Sequence, residues 1–513
     1  MLTRPAGKTL AQLVVDTAAL APLRPAILFG DRTISYREIR ERMNEAARAL
    51  LAAGVRPGDP VAALLGNDPD WVTVALAASA VGALFVPLNT WYKKAELAWT
   101  LKHCGVRVLV TARRFLKADY GQLFNELIPE LADATPGRLR ATAFPELNTV
   151  VFLGETPRGA LAWSDFVAAG RGVPAPDPKA VEPDGPAYVL YTSGSTAEPK
   201  GVLLTHRGIV ENGFDLGQRR AIVPEDRTWL GTPLFYALGA TNALPATLTA
   251  GATLVLQGHF EAGLAIETIR RTGATVYYGT GNMSRALLDH PDYAQAKIGS
   301  LKKGNAGISA EYKRQTLVEM QITQAVPAYG LTETYGNATV GEVDDPLDVK
   351  LATNGRPLPG MELVVVDPST GAGLAPGETG LVLIRGHITP GYLNNPVETA
   401  KAMRPDNFFD TGDLGHLDAN GRFVFHSRLK DVIKSGGINV SPVEVEQLLT
   451  GHPDIRDAHV VGVADAVRGE LIVAFVNAGA PVSEGALRDW VKERAASFKV
   501  PHHILFQIGR AHV

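Results

Sequence analysis

The stretch Tyr191-Thr192-Ser193-Gly194-Ser195-Thr196-Ala197-Glu198-Pro199-Lys200-Gly201 decides how the rest of the chain is read. An apolar run, Ala187–Leu190, leads into it, and a second, Val202–Leu204, leads out. Between these two strand-like runs sit four hydroxyl side chains, two glycines and one lysine. Glycine lets consecutive backbone N–H groups turn toward one anion, and hydroxyls add further donors. Lys200 supplies a positive charge, and Pro199 stiffens the return. The spacing is not that of the common P-loop, G-x-x-x-x-G-K-[ST]. A plain Ser/Thr/Gly turn is the competing interpretation; the density of donors together with a cation favours a polyphosphate cradle.

Composition narrows the classes around that loop. At 513 residues the chain has room for about three units of ~150 residues, or one large unit with an appendage. Fifty basic against 53 acidic residues leave a net charge of -3, which argues against an electrostatic nucleic-acid binder. The one cysteine, Cys104, excludes an internal disulfide and any multi-cysteine metal site. The opening residues Met1–Leu20 read as an amphipathic helix rather than a signal peptide. The most membrane-like stretch, Val72–Val86, is shorter than the ~20 residues a span requires. It reads as a buried helix running into a strand, so the expected compartment is the cytoplasm.

The pattern on either side is α/β. Val61–Leu65, Trp71–Ala80 and Ala83–Pro87 alternate strand, helix, strand, and Thr253–Leu256, Ala262–Thr272 and Thr275–Tyr278 repeat the rhythm, which implies parallel sheet. From about residue 350, runs such as Glu362–Val366, Gly380–Arg385 and Arg422–Phe425, parted by Gly/Pro/Asp turns, read as antiparallel hairpins. Beyond Arg428 the texture becomes α+β: helix Pro442–Thr450, strands Ala458–Val463 and Leu471–Asn477, helix Glu484–Ala496. The expected architecture is a large N-terminal domain, residues 1–427, of two βαβ-type sheets plus an antiparallel β subdomain. A hinge joins it to a small α+β C-terminal domain, residues 428–513.

Three further stretches carry chemistry. Ala328-Tyr329-Gly330-Leu331-Thr332-Glu333-Thr334 combines an aromatic that could stack a base, threonines that could bind phosphate and one carboxylate. One carboxylate with substrate phosphates is what Mg²⁺ usually takes. In Asp410-Thr411-Gly412-Asp413 an acidic residue at a turn could accept both hydroxyls of a ribose. Ser427-Arg428-Leu429-Lys430-Asp431-Val432-Ile433-Lys434-Ser435-Gly436-Gly437-Ile438-Asn439-Val440-Ser441-Pro442 joins charge and paired glycine to a Ser–Pro helix start.

In this order, and across nearly the whole chain, the four stretches resemble the adenylate-forming enzymes: acyl- and aryl-CoA synthetases, luciferases and peptide-synthetase adenylation domains. The resemblance implies an acid–thiol ligase that uses ATP, Mg²⁺ and coenzyme A as co-substrate, working on a small-molecule carboxylic acid. It implies no nucleic-acid partner and no integral membrane segment, and leaves a homodimer open. It assigns catalysis to Thr192, Lys200, Glu333, Lys430 and Lys434. Nucleotide and cofactor binding would fall to Thr192, Ser193, Gly194, Ser195, Thr196, Lys200, Gly307, Tyr329, Gly330, Thr332, Asp413 and Arg428. Within that set Tyr329 would stack on adenine, Thr332 contact the α-phosphate, Glu333 hold Mg²⁺ and Asp413 hold the ribose. Lys430 would lie at the hinge, and Gly436 and Gly437 would line the path of the pantetheine.

The acyl pocket would include Tyr236, Gly304, Ala306 and Gly307. Tyr236 stands where the family often has histidine, and the absence of an aspartate there disfavours amino acids. Fatty, aryl and alicyclic acids stay open. Two other outcomes compete with CoA ligation: loading of an acyl carrier protein, and non-catalytic binding of a nucleotide or acyl-adenylate. Family members carry a further lysine after the position of Pro501, whereas this sequence ends in Ile508-Gly509-Arg510-Ala511-His512-Val513. The expectation is therefore a lid cut short by an adapter-encoded tail, with slow adenylation.

Overall fold

The computed structural model describes residues 3–192, 199–295, 298–435, 438–465, 469–495 and 497–506. They form two compact units. The larger runs to Leu351 and includes Gly355–Glu362 and Arg385–Arg404; the second holds Ala352–Asn354, Leu363–Ile384 and the chain from Pro405 onward. Residue 428, expected to open the smaller domain, ends the strand Phe423–Arg428 inside the second unit.

The larger unit is built on two seven-stranded sheets. In one, Pro60–Leu64 pairs in parallel with both Leu84–Pro87 and Val108–Ala112. Pro186–Thr192 adds in parallel beside Leu84–Pro87, and Lys200–Thr205 closes the edge antiparallel to it. In the other, Arg227–Leu230 lies between Thr253–Leu256 and Val276–Tyr278, parallel to both. The βαβ rhythm of the sequence is thus the rhythm of the sheets.

The helix Pro69–Val81 shows why Val72–Val86 looks membrane-like. Asp68 caps it by accepting from the Asp70 N–H, Pro69 opens it, and Gly82 stops it at a left-handed φ of 70°. All its residues but Asp70 are buried, as are those of the following strand Leu84–Pro87. A helix apolar all round is what a core position between layers selects. Among the described residues no helix is long and apolar enough to cross a membrane.

The second unit holds a four-stranded sheet in which Gly380–Arg385, Phe409–Leu417 and Phe423–Arg428 are consecutive and antiparallel. It also holds a sheet of Ile433–Ser435, Ile438–Val440, Ile455–Asp465, Gly469–Ala478 and His503–Phe506. Helices Pro442–Thr450 and Glu484–Arg494 supply Val445, Leu449, Leu487 and Val491 to its apolar core. Asp410–Asp413 lies within the strand Phe409–Leu417, but as a bulge: Leu383 and Leu381 face Asp410 and Leu414, and between them Gly412 takes a left-handed φ of 67° while its N–H donates to Asp410 Oδ1 (3.1 Å).

Candidate active site

The donor-rich loop springs from a hairpin in which Thr192 and Lys200 face each other as the last register pair. The loop's two chemically useful ends therefore stand side by side at the edge of the sheet. Ser193, Gly194, Ser195 and Thr196 lie outside the described residues.

A distant segment, residues 389–393, docks on that edge strand. The Leu203 N–H donates to Gly391 O (3.0 Å) and the Leu393 N–H to Gly201 O (2.8 Å), while Val202 and Tyr392 form a bridge pair. This docking puts the Tyr392 ring beneath the lysine, with the Lys200 ammonium 5.2 Å from its centroid. The Tyr392 hydroxyl donates to Glu333 Oε1 (2.9 Å), and the Thr389 N–H donates to Glu333 O (2.7 Å). Glu333 is thereby held at both backbone and carboxylate. Burial, and then the neighbouring Glu333 carboxylate, push the Tyr392 phenol well above its ordinary range, so it remains a donor.

Lys200 forms an ion pair with Glu398, in the first turn of helix Pro396–Ala402; both side chains are partly exposed, at 18% and 21%. Lys401 pairs with the other carboxylate oxygen of Glu398 at 2.7 Å. The hydrogen bonds from Lys200 and then Lys401 hold the Glu398 carboxyl down at about 2.

Glu333 lies in a short 3₁₀ turn, Thr332–Thr334, that follows strand Ala328–Tyr329. The turn ends in Tyr335, a non-glycine residue at φ 57°. Such a conformation persists only where its surroundings over-determine it. Here the Tyr335 hydroxyl takes the Thr205 N–H (3.2 Å) and lies 3.0 Å from Thr205 Oγ1, while Tyr335 O accepts from Thr241 Oγ1 (2.9 Å) and Asn242 Nδ2 (3.1 Å). Gly330 cannot carry a side chain, because a Cβ there would lie 2.6 Å from Gly336 O and from Asn337 Cα.

Beside this turn opens a cavity of about 210 Å³ lined by Tyr329, Gly330, Gly307 and the amides Asn242, Asn305 and Asn337, among others. It brings together three of the expected residues, Tyr329, Gly330 and Gly307. Gly304 and Ala306 are buried, Ala306 among the apolar core side chains around Tyr277 and Leu317. Tyr236 is 38% exposed, packs against Trp91 and Phe235, and accepts from Asn89 Nδ2 at 3.4 Å.

Among the described residues no group of three or more His, Cys, Asp or Glu side chains could hold a metal. A lone, oriented carboxylate at Glu333 still fits Mg²⁺ that arrives with phosphates, since that cation takes one or two carboxylates and fills its shell from phosphate and water.

In the second unit Asp413 is 3% exposed and faces Arg428 across the hairpin, with Arg428 Nε 3.6 Å from Asp413 Oδ1. Lys430 is exposed in the turn Leu429–Asp431. Lys434 lies in strand Ile433–Ser435, its side chain outside the description, and Gly436 and Gly437 lie outside the described residues.

Sequence reasoning missed Tyr392 and Glu398, and it missed Arg220, which is fully buried, lies 4.5 Å from the Tyr278 ring centroid and donates to Asn305 Oδ1 (3.1 Å). Asn395-Pro396 signals a helix start, yet nothing local says that the helix's first turn will reach Lys200.

The family model described as AMP-binding enzyme matches residues 14–393, and the one described as AMP-binding enzyme C-terminal domain matches residues 444–508. The second match corrects the expectation of a lid cut short: a C-terminal domain is present, and truncation finds no support. The chain is 34% identical to a methyl-dioxo-octahydro-indenyl propanoyl:CoA ligase of Mycobacterium tuberculosis, over 94% of this chain and 92% of that one. It is 31% identical to the mitochondrial medium-chain acyl-CoA ligase ACSF2 of Mus musculus, over 98% and 84%. Among solved structures, ATP-bound MatB of Rhodopseudomonas palustris superposes with a TM-score of 0.83 at 26% identity, over 98% of this chain and 95% of that one.

Proposed function

The chain belongs to the AMP-binding enzyme family, and we propose that it joins a carboxylic acid to the thiol of coenzyme A through an acyl-adenylate, in the cytoplasm. The observation that carries this proposal is that Tyr392 joins Lys200 to Glu333, whose turn directly follows Tyr329 and Gly330 of the cavity.

A carboxylate is a poor acyl donor because its carbonyl carbon resists attack. In the first step its oxygen attacks the α-phosphorus of ATP, the bond to the bridging oxygen breaks, and pyrophosphate leaves. Negative charge builds on the α-phosphate and the departing group. Lys200 and the hydroxyl of Thr192, at the root of the donor-rich loop, meet that charge; donors aimed at developing charge are the usual source of most of such a rate enhancement. Glu333, oriented by Tyr392, would hold Mg²⁺; the cation supplies Lewis-acid stabilisation of the phosphates. Thr332 contacts the α-phosphate and Tyr329 stacks on the adenine, against a cavity wall that the close-packed glycines Gly330 and Gly307 help to form.

In the second step the CoA thiol attacks the acyl carbon, the acyl–phosphate bond breaks, and AMP leaves. By the family resemblance Asp413 and Arg428 serve the nucleotide, Lys430 and Lys434 act as the smaller domain turns about a hinge near 428, and Gly436–Gly437 line the pantetheine path. By the same resemblance Tyr236, Gly304 and Ala306 would belong to the wall of the acyl pocket.

The test is a panel of medium-chain, aryl and alicyclic acids with ATP, Mg²⁺ and CoA, reading AMP and thioester together with acid-dependent ATP–pyrophosphate exchange. We expect at least one acid to yield AMP and thioester in equal amounts. Absence of both exchange and AMP for every acid overturns the proposal. Preference for a phosphopantetheinyl carrier protein over CoA would reassign the acceptor.

A further inference from the structure

We propose that Glu398 is a positioning residue that occupies the Lys200 ammonium in place of a phosphate oxygen, yields it when the polyphosphate of ATP arrives, and so sets the affinity for ATP. This inference rests on the assignment of Lys200 to the polyphosphate.

The geometry fixes the carboxylate more firmly than the lysine. Glu398 sits in the first turn of helix Pro396–Ala402, where its N–H donates to the Asn395 side chain (3.0 Å), so its backbone is anchored by the helix cap. Its two oxygens are shared between two cations, Lys200 and Lys401. It stays ionised through the whole working range of pH, because both lysines hold its carboxyl down. Lys200 thus always has an anion at hand. A ligand phosphate must take that place or share it.

The second lysine makes the exchange feasible. Stripping the partner from a partly buried charge has a cost that grows with its burial. Glu398 escapes that cost because Lys401, 68% exposed, stays on its other oxygen after Lys200 leaves. Lys200 in turn keeps the Tyr392 ring beneath it, a contact attractive to a cation with or without the carboxylate. The same tyrosine holds Glu333, so the released ammonium remains beside the proposed cation ligand. A site whose competent state is only partly populated binds its ligand more weakly by that fraction. Removing Glu398 should therefore tighten ATP binding. Removing Lys401 should weaken it, because Glu398 then depends on Lys200 alone.

The experiment compares E398Q and K401M with the wild-type full chain. Steady-state kinetics give KM for ATP and kcat, and calorimetric titration uses MgATP and, separately, inorganic tripolyphosphate. For E398Q we expect KM for ATP and both dissociation constants to fall by about three- to tenfold, with kcat within about twofold. For K401M we expect KM for ATP to rise by about two- to threefold. Opposite signs are the diagnostic, since a merely structural role would move both variants the same way. A rise in KM for E398Q, no change in either variant, or shifts of one sign in both would overturn the proposal. If E398Q does not fold, E398D, whose shorter arm loses contact with Lys200, must give the same fall. Tripolyphosphate binding that responds to Glu398 without any acid-dependent exchange would retain the latch and sink the ligase assignment. Normal exchange with an unresponsive Glu398 would do the reverse.

Discussion

Lys200 and Asp413 find their partners in opposite ways. Lys200 pairs with Glu398, 198 residues further along, and it is placed there only because residues 389–393 dock on the edge strand Lys200–Thr205. Asp413 faces Arg428 across a single hairpin whose turn is closed by Asp418 N–H to Arg422 O and Gly421 N–H to Asp418 O. The first arrangement needs the folded larger unit. The second needs only two strands in register. Groups assembled from distant segments should be the more vulnerable, both to acid and to the loss of one partner.

Acid should separate the regions most. His206, which follows the strand Lys200–Thr205, is 2% exposed, and burial pushes its imidazole down to about 4. The unfolded chain therefore binds more protons between roughly pH 4 and 6.5. Stability from this group is complete above 6.5 and is lost as pH falls toward 4, by about 3 kcal/mol. His416 and His426 of the second unit, 2.7 Å apart, are also shifted down but are less buried than His206. Urea titrations from pH 4 to 7 should show a steep limb for the larger unit that flattens in H206Q; an unchanged slope would place the acid sensitivity elsewhere.

Next in size is Glu333. E333Q keeps an acceptor for the Tyr392 hydroxyl but removes the charge, so kcat/KM should fall by about a hundredfold while the melting temperature barely moves. Removing the orienting hydroxyl is milder. Y392F should cost about tenfold in kcat/KM and raise the Mg²⁺ concentration needed for half-maximal rate. Equal losses in the two variants would mean that Tyr392 contacts substrate itself.

The smallest effect belongs to the local pair. The Arg428 side chain is 53% exposed and 3.6 Å from Asp413, so R428Q should change stability by less than about 1 kcal/mol in urea unfolding. A larger loss would show the hairpin to be as dependent on its ion pair as the sheet edge is on its docked segment.

Particular residues show how far the sequence could be read. Thr253–Leu256, Ala262–Thr272, Glu362–Val366, Gly380–Arg385 and Pro442–Thr450 have the bounds their apolar periods and caps imply. Tyr329, Gly330 and Gly307 line one cavity. The Asp, Thr and Gly of Asp410–Asp413 are turn chemistry, and the structure uses it as a bulge inside a strand rather than at a strand end: Asp410 pairs on one side, Asp413 on the other, and Gly412 between them is left-handed.

The sequence by itself determined the layered α/β plan, the hairpin that carries the donor-rich loop, and the order of the family's motifs. Hydrophobic period, caps and turn residues act over a few positions and need no distant partner. Only the tertiary structure decided that Tyr392 lies under Lys200 and bonds Glu333, that Glu398 holds the lysine, and that Arg220 reaches Asn305. Those contacts join segments far apart in the chain, and nothing local encodes which sheet edge will receive which segment until the core has packed.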